Sequence, residues 1–151
     1  MKKKSNSYSL IKTSKEFIKK NLIEIEKRDD LSQSQKASRI INLFAGVCAV
    51  VAIQPIPFAD IFVLTPIQVL MGERLAAISG VPLNKSSINN LIKDILKIAA
   101  MGLLSQQLAI GAYKTFLPFL GAVTTIPLVF GLTYAIGKVL YEMYKRRSKV
   151  N

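Results

Sequence analysis

Histidine and tryptophan are absent from this 151-residue chain, and cysteine occurs once, as Cys48. Lacking histidine, the chain has neither the commonest general base nor the commonest zinc ligand. One cysteine allows no intrachain disulfide and no cysteine metal cluster. Cys48 stands in an apolar run, where a small buried hydrophobe is its ordinary role. Acids are scarce: 9 Asp and Glu stand against 21 Lys and Arg, for a formal charge of +12. Asp60, Glu73 and Asp94 have no spacing that would pair them for acid–base work or gather them round a divalent metal. No catalytic residue, cofactor site or metal site is legible. No apolar segment follows Met1-Lys-Lys-Lys within the first thirty residues, which does not fit a signal peptide.

Apolar residues are abundant. Half of the chain is hydrophobic and the mean hydropathy is +0.33, enough for the core of one domain. The positive charge points to anionic partners: acidic lipid, nucleic acid or an acidic protein surface. Its distribution narrows the choice. Residues 1–39 carry 11 of the 21 Lys and Arg, and residues 138–151 carry 5. Between them stand only Arg74, Lys85, Lys93, Lys97 and Lys114. A nucleic-acid reader more often spreads its basic residues along one face, with aromatics between them.

The chain is organised around residues 50–80. One apolar run ends in Gln54-Pro55-Ile56-Pro57, a carboxylate follows at Asp60, and a second run opens at Thr65-Pro66. Each proline removes an N–H and disfavours helix in the residue before it. The pattern predicts two buried helical arms joined by a kinked turn. Ser32 and Gln35 have capping-box spacing, so the first arm is expected from there to about Ile53. Thr65 and Gln68 repeat that spacing, with Pro66 at the first helical position. The second arm is expected to run to about Ser79 and stop at Gly80, with Glu73 and Arg74 facing water or a partner.

The remaining elements follow from the same signals. Residues 1–7 are expected outside any helix. An amphipathic helix is predicted over 8–27, with Tyr8, Ile11, Ile18, Leu22 and Ile25 on one face. Residues 81–87 read as a polar connection in which Ser86 or Ser87 caps a helix over 88–113. Its stripe is Ile88, Leu91, Ile92, Ile95, Leu96 and Ile98. Pro118 and Gly121 mark a turn. A last helix is expected over 122–144, bent at Pro127 and followed by Lys145-Arg146-Arg147. No strand-like alternation stands out. The fold class is all-α: five or six helices built around a Pro-kinked apolar hairpin, with lipid or protein as the medium that buries it.

Residues 115–137 hold no charge over 23 positions, and roughly 20 apolar residues suffice to cross a bilayer. Residues 40–59 are a second, interrupted candidate. If both cross, the basic arm and the basic tail share one side, the cytoplasm by the positive-inside rule. Ala45 with Ala49, and Gly131 with Ala135, then offer small residues for close helix packing. A helix buried all round in a soluble bundle is equally apolar, so a soluble cytoplasmic protein is the alternative. Gly131 to Gly137-Lys138 looks like a phosphate loop but has five residues between the glycines, and Val139 where a Ser or Thr should hold the metal. Asp60, Thr124, Thr125 and Thr133 read as capping or packing residues.

Pro55-Ile-Pro57-Phe-Ala-Asp60, followed by Leu64-Thr65-Pro-Ile-Gln68 and Met71, resembles the opening signature of the DUF697 family. So does the helix closing at Ala77-Ile-Ser-Gly80. Lys114-Thr-Phe-Leu-Pro118-Phe-Leu-Gly121 and Thr133-Tyr-Ala-Ile-Gly137 then match in order. The resemblance covers about residues 35–145. Its motif positions here are Pro55, Pro57, Asp60, Thr65, Gln68, Gly80, Pro118, Gly121, Thr133 and Gly137. The family is of unknown function. Its members are similar to the helical region found beside Era-like small GTPase domains, and the YcjF-like ones look like inner-membrane proteins. The resemblance implies an all-helical module that works with a GTPase at a membrane, and it supplies no catalytic residues. No phosphate loop is legible in this sequence, so the GTPase is expected on another chain.

The domain reading is a basic amphipathic arm over 1–34, a helical domain over 35–147 and a basic tail over 148–151. The expected function is a non-enzymatic module at the cytoplasmic membrane, both termini cytoplasmic, coupled to an Era-like small GTPase in trans. Lys2, Lys3, Lys4, Lys145, Arg146 and Arg147 are expected to contact anionic lipid. One rival is a small membrane-perturbing or pore-forming protein. Another is a soluble bundle that binds nucleic acid or protein. Nucleic acid is the weakest partner, since aromatics are nearly absent among the basic residues; a homo-oligomer is left open.

Overall fold

A computed structural model describes residues 2–52, 63–113 and 125–150, with side chains described over 12–52, 63–101 and 126–150. Among the described residues there are five helices and no strand: α1 (Lys2–Lys27), α2 (Gln33–Ala52), α3 (Thr65–Ile78), α4 (Lys85–Tyr113) and α5 (Thr125–Ser148). The fold is all-α, as the periodicity predicts. Residues 2–7, expected outside a helix, form the first turns of α1. The turn residues Pro55, Pro57 and Asp60, with Pro118 and Gly121, lie outside the described residues.

Local chemistry explains most helix ends. α2 begins on a reciprocal capping box: the Ser32 N–H donates to Gln35 Oε1 at 2.9 Å, and the Gln35 N–H donates to Ser32 Oγ at 3.3 Å. Just before it, Arg28 grips Asp30 through Nε at 3.0 Å and Nη2 at 2.6 Å. That hydrogen bonding holds the Asp30 carboxyl below the usual carboxylate range. α3 ends on a Schellman motif. Gly80 has φ 71°, the Val81 N–H donates to the Ala76 carbonyl at 3.0 Å, and the Gly80 N–H donates to the Ala77 carbonyl at 3.1 Å. That left-handed conformation is one glycine adopts without strain.

Two helix starts differ from expectation. α4 is capped by Asn84 and not by Ser86 or Ser87: Asn84 Oδ1 accepts from the Ser87 N–H at 2.8 Å and the Ser87 hydroxyl at 2.9 Å. Asn caps as well as Ser, and it stands directly before Lys85. α3 has no side-chain cap, because its cap residue Leu64 is itself helical, with φ −73° and ψ −40°. Val63 and Leu64 are already helical before Thr65, so no capping box forms with Gln68. Pro127 falls in the first turn of α5. Its missing N–H removes no intrahelical bond there, and the helix needs no bend.

α2, α3 and α5 pack on one another at the centre. α1 lies on α2, and α4 lies on α3 with a lighter contact to α5. Ile40, Ile41, Phe44, Ala45 and Cys48 of α2 are completely buried. α3 adds Met71 and Leu75, α5 Ile136 and Leu140, α4 Leu91 and Ile95, and α1 Ile18 and Leu22. Among the described side chains of α1, those from Ile18 onward dock, while residues 12–17 are exposed apart from half-buried Ser14.

Two glycines set the closest approaches. A Cβ on Gly137 would lie 2.8 Å from Ile41 Cγ1 and 3.1 Å from Met71 Sδ, and one on Gly72 would lie 2.8 Å from Leu91. The small pair expected to pack on α5, Gly131 with Ala135, does not face the core. Both are exposed, and nothing lies within 4 Å of a Cβ at Gly131. Thr133, Ile136, Gly137 and Leu140 define the buried face, and helical spacing turns 131 and 135 to the other side. Ala45 and Ala49 are buried.

The same contacts give directions. Gly137 meets Ile41 and Thr133 meets Cys48, so α5 runs antiparallel to α2. Gln68 meets Thr133, Met71 meets Gly137 and Gly72 meets Leu140, so α3 runs parallel to α5. Gly72 also meets Leu91, and the short connection over 79–84 returns α4 antiparallel to α3. Gly137→Ala should cost about 1–3 kcal/mol by overpacking. Gly131→Ala should be neutral or stabilising by up to about 1 kcal/mol through helix propensity. Denaturation of both variants in one medium, followed by circular dichroism, checks this. Equal effects would mean that α5 packs by another face.

Candidate functional site

α2 has no charge after Arg39, α3 none before Glu73, α4 none after Lys97 and α5 none before Lys138. The helix directions bring these four uncharged portions to one end of the bundle. Those of α2 and α5 span 40–52 and 125–137, about 20 Å of helix each, or two-thirds of the ~30 Å hydrocarbon core of a bilayer. This end is not closed off by the described residues: Val50 is 60% exposed, Met101 68%, Ile126 42%, Leu128 43% and Phe130 37%. By length and composition one described helix could cross a membrane, Ile126–Ser148, whose most apolar window has a mean hydropathy of 1.2 and is 28% buried. The core helix of a soluble bundle passes the same test of composition, but such a helix is mostly covered.

The side chains of α5 change character in order along its length. Phe130 stacks on Tyr134 with ring centroids 6.2 Å apart. Lys138 Nζ lies 5.7 Å from the Tyr134 ring centroid, within cation–π range. Apolar residues, then an aromatic pair, then a cation succeed one another at four-residue spacing. Tyr is among the residues enriched where helices leave lipid for water.

Behind this surface lies a buried polar chain. Gln68 Nε2 donates to Thr133 Oγ1 at 3.2 Å, and the Cys48 thiol lies beside Thr133. Gln68 is 5% exposed, and Thr133 and Cys48 are fully buried. The chain joins α3, α5 and α2. It contains no general base, so it positions helices and offers no activated nucleophile. Gln68 thus has a partner 65 positions away, which sequence spacing could not reveal. Its capping-box spacing from Thr65 is coincidental.

The other motif positions fall in separate places. Thr65 opens α3, Gly80 closes it, and Gly137 is the close-approach residue of α5. The segment from Gly131 to Lys138 lies inside α5 and forms no loop that could wrap a phosphate. Lys145, Arg146 and Arg147 are exposed in the last turn of α5, at the end away from the uncharged portions. Lys2, Lys3 and Lys4 open α1. Two grooves lie lower on the bundle. One, of about 510 Å³, runs between the end of α3 and the start of α4, lined by Glu73, Ala77, Gly80, Val81, Leu83 and Ile88. The other, of about 330 Å³, lies between α1 and α3. The buried Ser79 hydroxyl has no hydrogen-bond partner among the described residues.

The polar chain makes a specific prediction. Gln68→Leu should destabilise by about 1–3 kcal/mol, because it leaves the Thr133 hydroxyl short of a partner in the core. Adding Thr133→Val should cost less than the sum of the single changes, since the pair is coupled. A double-mutant cycle on unfolding checks it, and strict additivity would refute the bond.

Comparison with protein families finds one match, to a domain of unknown function (DUF697), over residues 19–144. It begins next to Ile18, the first buried side chain of α1 among the described residues, and ends at Tyr144, the last buried one of α5. It therefore takes in the docking turns of α1, which the resemblance over 35–145 leaves out. Neither the curated proteins nor the solved structures contain a match. Covering 126 of the 151 residues, the family match shows that this chain belongs to the DUF697 family.

Proposed function

We propose that this chain is a non-enzymatic helical module of the cytoplasmic membrane that works with an Era-like small GTPase supplied by another chain. The observation that carries the membrane part is the surface of α5. Its uncharged portion is largely uncovered, and it passes through Phe130 and Tyr134 to Lys138. A soluble bundle gains nothing from leaving such side chains in water, whereas lipid accepts them at roughly 25 cal/mol per Å². The GTPase part rests on the resemblance of the Pro55–Gln68 signature to the helical region beside Era-like GTPase domains. The buried chain of Gln68, Thr133 and Cys48 supports the non-enzymatic part, because it has partners that position and none that activate.

In this reading Lys2, Lys3, Lys4, Lys145, Arg146 and Arg147 hold acidic lipid, at roughly 1 kcal/mol for each well-placed cation. Lys145 stands seven residues beyond Lys138, about 10 Å along the helix and so about one Debye length further from the lipid surface. Its cluster should contribute less than a cation at the level of Lys138 if α5 enters end-on.

Fractionation of the untagged protein tests the membrane part. The protein should stay in membranes after an alkaline carbonate wash. Release by carbonate would leave only the basic ends as a tether, and a protein soluble from the start would refute the reading. Changing all six basic residues to Gln should weaken binding to anionic vesicles; unchanged binding would remove their role. Dye leakage from vesicles at saturating protein would favour the pore-forming rival instead.

A further inference from the structure

Two single spans over residues 40–59 and 115–137 would place residues 73–97 across the bilayer from the start of α2 and the end of α5. The contacts of the bundle oppose that division. Arg74 Nη1 of α3 stands 3.6 Å from Glu26 Oε1 of α1. Lys36 Nζ of α2 donates to the Glu26 carbonyl at 3.0 Å, and Gln33 Nε2 of α2 donates to the Ile78 carbonyl at the end of α3. On the other flank, a Cβ on Gly72 would lie 2.8 Å from Leu91 of α4 and 3.3 Å from Leu140 of α5. Groups in contact cannot lie on opposite faces of a hydrocarbon core about 30 Å thick.

Charge sorts the same way. With residues 73–97 on the side of residues 1–39 and 138–151, every Lys and Arg of the chain except Lys114 belongs to one side. Two single spans would carry Arg74, Lys85, Lys93 and Lys97 to the other side, against the positive-inside rule. The opposite end of the bundle is the one that leaves apolar side chains uncovered on three helices: Val50 of α2, Met101 of α4, and Ile126 and Leu128 of α5. α1 docks outside this four-helix unit and carries Lys15 and Lys19 beside α3. Keeping those two ammonium groups at the headgroups limits how deep the apolar end can sit.

We propose that α2–α5 enter the bilayer from one side as two hairpins, α2 with α3 and α4 with α5. The connection between α3 and α4, residues 79–84, then stays on the cytoplasmic side with the start of α2 and the end of α5. The inference rests on the membrane reading given above and adds its sidedness. It leaves the groove of about 510 Å³ between α3 and α4 facing the cytoplasm, where two single spans would turn it away.

Cysteine accessibility in bacterial spheroplasts reads the sidedness. Lys85→Cys and Lys149→Cys, both at exposed positions, are compared with the parent protein, whose buried Cys48 gives the background. A membrane-impermeant maleimide should label neither variant in intact spheroplasts and both after permeabilisation. Labelling of Lys85→Cys alone in intact spheroplasts is the result that two single spans give, and it would overturn the proposal. Labelling of both variants from outside, or no labelling of Lys85→Cys after permeabilisation, would overturn it as well. Carbonate fractionation of the wild type separates this inference from the reading beneath it. A wild type that stays in washed membranes while Lys85→Cys is labelled from outside sinks the two hairpins alone. A wild type released by carbonate, or soluble throughout, sinks insertion and sidedness together.

Discussion

The close approach of α5 to α2 and α3 at Gly137 is the contact on which the rest of the bundle depends. No side chain fits there, because even a methyl group would overlap Ile41 and Met71. One turn away, the bond from Gln68 to Thr133 and the contact of Thr133 with Cys48 fix how far the three helices are slid along one another. Apolar packing alone tolerates sliding, since one buried aliphatic is much like the next. A buried amide and hydroxyl do not, because a slip of one turn would leave both without partners at a cost of about 1–3 kcal/mol each. Shape sets the distance, and the polar chain sets the register.

That register has a consequence for the surface. Because α3 and α5 run together and α2 and α4 run against them, the uncharged end of each of these four helices arrives at the same end of the bundle, beside which α1 carries Lys15 and Lys19. The charged ends gather at the other. An amphipathic soluble bundle segregates polarity across each helix, with one stripe in and one out. Here it is also segregated along the helices. The membrane proposal grows from this longitudinal division, which α5 displays on its outer surface.

Local signals were legible wherever the chemistry was local. Ser32 and Gln35 satisfy each other three residues apart, and Gly80 supplies a left-handed residue at the end of its own helix. Both could be read from spacing. Asn84 caps α4 ahead of Ser86 and Ser87, because Asn is as strong a cap as Ser and stands directly before the helix. Thr65 and Gln68 carried the spacing of a cap without its function, because a helical turn arrives from upstream and the amide is claimed by Thr133. Gly131 and Ala135 had the right size for close packing but lie on the far side of α5 from Gly137.

By itself the sequence determined that the chain is all-helical, where most helices stop, that charge is kept from the central runs, and which family the chain belongs to. These follow from periodicity, capping chemistry and composition, each of which acts over a few residues or over the whole chain at once. Only the tertiary structure decided which face of α5 is buried, that Gln68, Thr133 and Cys48 meet, that four uncharged helix portions share one end, and that α1 and α3 form a groove between them. Those outcomes depend on helix direction and rotation. Contacts between residues far apart in the chain set both, and no local pattern encodes them.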